Sequence, residues 1–173
     1  MRKRVAGSVA ALLAAGMLVW GMLPSAAQSP PPPIGVEFLT DRAVFPDEVR
    51  MRIKLLDENR DRIGVVRTRD PSRTVVARYT VQPGAQFPWH SHAGPVIVNV
   101  VEGTLVYVGA EDCGELEYTA GNAFVDLGHG HVHSAYNPSE TDVTVFVATF
   151  FEAPEAPAPL LIPADAPEGC VLP

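Results

Sequence analysis

Apolar and polar residues alternate with a period of two through much of the middle of the chain. Val49, Met51, Ile53 and Leu55 alternate with Arg50, Arg52 and Lys54, so an extended backbone here buries one face and solvates the other. Further runs at 63–67, 74–82, 96–101, 104–108, 122–127, 131–136 and 143–151 are rich in Val, Thr and Phe, which suit a pleated, half-buried surface. Gly, Pro, Asp and Asn clusters separate these runs at short intervals. Many short strands at that spacing predict an all-β sandwich or small barrel. No internal repeat and no long helical pattern competes with this reading.

The two ends depart from the pattern. Arg2, Lys3 and Arg4 precede an apolar stretch from Val5 to Leu23, followed by Pro24, Ser25, Ala26 and Ala27. This reads as a signal peptide over 1–27, cleaved after Ala27, and predicts a secreted, extracellular or cell-envelope protein. The alternative is an uncleaved anchor, since 19 largely apolar residues just span a bilayer. Gly7, Gly16 and Gly21 dilute the stretch and favour cleavage, which leaves no stable membrane span. Residues 28–33 form a Pro-rich spacer, 34–73 the N-terminal strands, 74–151 the barrel core, and 152–173 a Pro-rich tail without regular structure.

Charge and cysteines narrow the chemistry. The leader carries three of the thirteen basic residues and none of the twenty acidic ones, so its removal leaves a net charge of −10. Nucleic acid is excluded as a partner, because phosphate recognition needs a basic face. The only cysteines, Cys113 and Cys170, lie in polar, turn-like settings, which in an exported chain predicts a disulfide. A catalytic or metal-binding thiol pair is the weaker alternative, since neither has a second Cys or a His at ligand spacing.

All five histidines fall in Trp89-His90-Ser91-His92 and Gly128-His129-Gly130-His131-Val132-His133. His90 and His92 are two apart, so on an extended segment both imidazoles leave the same face and can share one ion. A third imidazole, His133, arriving from a paired strand completes a facial set with open positions.

At these residues the sequence resembles the cupin superfamily, in particular its small secreted single-domain members. The first cupin motif, G-x5-H-x-H-x3-E-x6-G, is matched in every spacing by Gly84, His90, His92, position 96 and Gly103, but Val96 replaces its glutamate. The second, G-x5-P-x-G-x2-H-x3-N, aligns through Gly130, His133 and Asn137. Gly128 stands where proline is usual, and Gly121 sits one residue further back than the pattern asks.

The resemblance implies a jelly-roll-like β-barrel with one divalent transition metal on His90, His92 and His133. Iron(II) is favoured, with Zn, Mn, Ni or Cu as alternatives. It further implies a homodimer through the N-terminal strands. The leading activity is a dioxygenase-type oxidation of a small organic substrate, by likeness to three-histidine thiol and β-diketone dioxygenases. The rival is a non-catalytic secreted binder of a sugar or another small ligand. Parity places Val96, Val98 and Val100 on the cavity wall with the histidines. Trp89 and Gln86 are substrate-binding candidates beside the first ligand, and Tyr136 is a weaker one. His129 and His131 read as a solvated turn, and Asn137 as a turn-forming residue.

Overall fold

A computed structural model describes residues 33–56, 59, 62–68 and 70–173 of the chain; the leader and the spacer up to residue 32 lie outside them. Among the described residues there are twelve strands and no helix. None of them forms a helix long and apolar enough to cross a membrane.

The alternating runs become strands that bury every second side chain. In β4 (Thr74–Val81) the buried set is Val75, Ala77, Tyr79 and Val81, and in β11 (Thr144–Phe150) it is Thr144, Phe146, Ala148 and Phe150. These two pair in register, with Phe146 opposite Tyr79 and Ala148 opposite Ala77. β1 (Ile34–Ala43) joins β4 on one side, while β6 (Val96–Glu102) and β9 (Ala123–Asp126) continue from β11 on the other. The result is a five-stranded antiparallel sheet in the order β1-β4-β11-β6-β9. The second five-stranded sheet holds β12 (Ile162–Pro163), β5 (His90–Ser91), β10 (His133–Tyr136), β7 (Thr104–Gly109) and β8 (Glu115–Thr119), in that order.

The core lies between the two sheets. Val75, Val81, Val96, Phe146 and Phe150 from the first meet Leu105 and Ala135 from the second. Each Val, Leu or Phe side chain among these, fully buried, stabilises the fold by about 1.5–3 kcal/mol. This is an all-β, jelly-roll-like barrel.

β1 extends the first sheet as its edge strand, with its backbone paired to β4 from Ile34 opposite Val81 to Ala43 opposite Thr74. β2 (Met51–Leu56) and β3 (Arg62–Thr68) pair only with each other. The Pro-rich tail is not wholly irregular: Ile162 and Pro163 form β12 against Ser91 and His90. Proline is tolerated there because β12 is an edge strand. β8 had no apolar run to announce it, since four of its five residues are exposed.

Cys113 and Cys170 form a disulfide with a Cα–Cα distance of 5.4 Å. It ties the tail beside a second apolar cluster in which Cys170 and Leu172 pack on Trp89, Val106 and Val108. Such a bond is consistent with an oxidising compartment.

Candidate metal centre

His90 lies on β5 and His133 opens β10, and the two are direct cross-strand partners. Their ring centroids are 4.3 Å apart. His92 follows two residues after His90 on the same face, with its ring 4.9 Å from His90 and 5.1 Å from His133. One nitrogen from each of the three rings lies within 4.8 Å of the others, and all three residues are buried. Strand periodicity thus supplies two rings and strand pairing the third.

Glycine lets the two histidine loops meet. Gly128 has φ +63°, and a Cβ there would fall 2.0 Å from the Gly94 carbonyl oxygen. The segment after His92 therefore rests backbone on backbone against the turn before His133. Proline, fixed near φ −65°, cannot take this conformation, which explains the departure from the usual motif residue at 128.

The ring nitrogens have definite partners. His90 Nδ1 is 2.7 Å from the Pro88 carbonyl and His92 Nδ1 is 2.9 Å from the Leu160 carbonyl. A carbonyl only accepts, so both rings carry their proton on Nδ1 and keep the Nε2 lone pair. This is the arrangement in which backbone carbonyls orient metal-binding imidazoles. Leu160 belongs to the tail, so the tail holds one of the three rings.

Burial, and next the charge of His92, lowers the His90 pKa to about 4; burial first of all lowers His133 to about 3, and it lowers His92 as well. The unfolded chain binds protons below the ordinary value of 6.5 that these rings refuse when folded. Stability of the metal-free chain is therefore full above pH 6.5 and falls toward pH 4, by up to about 1.4 kcal/mol per pH unit per ring. His131, raised by its hydrogen bond to Asp126, offsets part of this loss. Melting in chelator at about pH 7.5 and pH 5 should show the lower Tm at the lower pH; an equal or higher Tm there contradicts the assignment.

Asp126, which the sequence reading did not single out, is the carboxylate of this centre. It ends β9 directly opposite Val96 and is 2% exposed. Its Oδ1 accepts the Gly128 N–H at 2.9 Å, and its Oδ2 accepts the Tyr107 hydroxyl at 2.8 Å and the His131 Nδ1 at 3.1 Å. His133 Nδ1 is 3.3 Å from the same Oδ2, close enough for an ion pair but out of line for a hydrogen bond. Burial works to raise the Asp126 pKa, yet the His131 hydrogen bond and the His133 and His92 charges outweigh it and hold the carboxyl well below its usual range. Only the register of β6 against β9 brings Asp126 here, and no motif encodes that register.

The other candidates separate clearly. Val96 and Val98 line the cavity among the three rings, together with Leu105, Phe124, Phe146 and Phe150; Val100 is buried in the core but is not part of that wall. Trp89 and Gln86 do not reach it. They line a separate cavity with Cys170 and Leu172, because residues next to His90 and Phe87 along extended chain point to the opposite face. Tyr136 donates to Glu115 at the surface. His131 is no free turn residue: besides Asp126 it pairs with Glu111 at 3.1 Å. His129 pairs with Glu152 at 2.6 Å, and the Thr68 hydroxyl also donates to Glu152. Asn137 is buried and bonds the Val81 and Asp142 carbonyls and the Ser139 N–H, a turn-holding role.

A family model described as a cupin domain matches residues 77–149, from within β4 to within β11. Residues 77–149 thus carry a cupin domain. The chain is similar in structure to the polyketide cyclase RemF from Streptomyces resistomycificus, at TM-score 0.46 and 20% identity over 78% of this chain and 84% of that one. It is also similar to KdgF from a Halomonas species, at TM-score 0.45 and 17% identity over 73% and 87%. A cupin domain from Bordetella pertussis Tohama I gives TM-score 0.41 and 22% identity over 66% and 99%. No curated protein matches the chain.

The cavity among the three rings is narrow, about 40 Å³, which is room for about three water-sized groups. Its walls are aromatic and aliphatic apart from the histidines, Tyr79, Tyr107 and Asp126. The Tyr107 ring stacks on His133 at 4.8 Å with 19° between the planes, which limits the motion of that imidazole.

Proposed function

We propose that this chain is an exported metal-dependent cupin in which His90, His92 and His133 hold one divalent transition metal, iron(II) by preference, for oxidation of a small organic molecule. The observation that carries the reading is the convergence of three buried imidazoles, two of them fixed by backbone carbonyls in the tautomer a metal requires. The donor set fits such an ion: three neutral nitrogen ligands, with a buried carboxylate behind one of them. When bound, the ion supplies a Lewis acid, and iron(II) adds the capacity for dioxygen chemistry.

The rest of the work falls to the chain. Val96, Val98, Phe124, Phe146 and Phe150 exclude water and select for apolar substrate surface. The cavity volume of about 40 Å³ restricts entry to a small or slender group. An apolar wall of this kind offers a sugar few hydrogen-bond partners, which disfavours the sugar-binding alternative. Leader 1–27 would direct export, consistent with the disulfide.

The test is elemental analysis of the mature, untagged protein, followed by oxygen uptake by the iron(II)-loaded form across a panel of small chelating organic acids and thiols. One ion per chain and substrate-dependent oxygen consumption are the expected results. A folded barrel that takes up no divalent metal overturns the reading. A metal-loaded barrel without turnover on any panel member replaces it with a binding function.

A further inference from the structure

We propose that Asp126 is the positioning residue for His133: its carboxylate, delivered from β9 opposite Val96, keeps the His133 Nδ1–H turned to the protein and the Nε2 lone pair turned to the cavity. The inference rests on the metal reading above and adds a component to it. The motif position that would carry a carboxylate is Val96, an apolar wall residue. The cross-strand partner of that position is Asp126, so the negative charge has moved one strand over and acts through a histidine instead of beside it.

Four observations converge on this role. Asp126 is 2% exposed, and a buried charge persists only where partners compensate it. Its Oδ2 gathers donors from three elements: Tyr107 on β7, His131 in the turn and His133 on β10. His133 Nδ1 is buried with no hydrogen-bond partner in line; Asp126 Oδ2, an acceptor only, lies 3.3 Å away, and the His131 backbone also acts on this ring. His90 and His92 are fixed by carbonyls, so Asp126 completes the set with an ionised acceptor, the stronger kind.

The competing view is that Asp126 merely shapes the turn by accepting the Gly128 N–H at 2.9 Å. Asp126→Asn separates the two. The asparagine amide oxygen can still accept from Gly128, and its NH₂ then faces the Tyr107, His131 and His133 donors. The His133 ring must then accept at Nδ1 and carry its proton on Nε2, where it blocks the ligand position.

The experiment is cobalt(II) titration of the full mature chain, with ¹⁵N NMR of the imidazoles in the metal-free form. Wild type is expected to show His133 protonated at Nδ1 and to bind one cobalt(II). Asp126→Asn should bind cobalt(II) about 10- to 100-fold more weakly and shift His133 toward the Nε2–H form, with His90 and His92 unchanged. Adding Val96→Glu to Asp126→Asn returns a carboxylate beside the rings and should recover about tenfold of that loss. Unaltered cobalt(II) affinity and tautomer in Asp126→Asn overturn the proposal while leaving the metal site standing. A His133 protonated at Nε2 in the wild type overturns it without any variant, so the test survives a variant that does not fold. Wild type that takes up no cobalt(II) overturns the metal reading itself.

Discussion

Replacing His133 with alanine is expected to abolish stoichiometric metal binding while the barrel stays folded. His133 is the only one of the three rings contributed by β10, and His90 and His92 alone leave the ion two protein ligands. Loss of the ring also strands Asp126, whose buried carboxylate then keeps Tyr107 and His131 as its side-chain partners. Removing one partner of a buried pair typically costs about 3–5 kcal/mol, but the carboxylate retains those donors, so the cost should sit below that range. His131→Ala serves as the contrast: it removes one donor from Asp126 and leaves all three imidazoles, so the ion should be retained with weaker affinity. Metal content by mass spectrometry under native conditions reads both. Equal loss of metal in the two variants would mean that the ligand set His90, His92 and His133 is wrong, as a site on Asp126, His131 and His133 would require.

The second large effect is expected at the disulfide. Cys113→Ser with Cys170→Ser opens a loop spanning 57 residues, which on the chain-entropy model removes about 4 kcal/mol of stability. That is a large share of the roughly 5–15 kcal/mol that holds a domain together. Urea unfolding of the double variant against the oxidised protein measures it. A difference below about 1 kcal/mol would show that β12 and the tail's packing against Trp89 hold the C-terminus without the bond. The same variant should weaken metal binding, because freeing the tail loosens the Leu160 carbonyl that orients His92.

The metal-site candidates were legible from the residues because their geometry follows from local rules. A spacing of two puts His90 and His92 on one face, and the motif spacing sets His133 opposite them. The strands of the two sheets were legible where alternation buries one face, as in β4 and β11. What stayed hidden depends on register and on chain that carries no pattern. Asp126 becomes part of the centre only because β9 pairs with β6 so that position 126 faces position 96. Trp89 attracted attention through its neighbour in sequence, yet the pleat turns it away from the cavity. β12 and β5 are two residues each, too short for any periodicity to register. The tail carbonyl on His92 is a backbone contact across 68 positions, which side-chain identity cannot announce.

That carbonyl sets an order of events. Leu160 follows all three histidines in the chain, so a nascent chain has His90, His92 and His133 in hand before the group that fixes His92 exists. A protein exported unfolded and oxidised on arrival would finish its metal centre only at its destination. Its ion would then be drawn from the metal pool outside the cytoplasm.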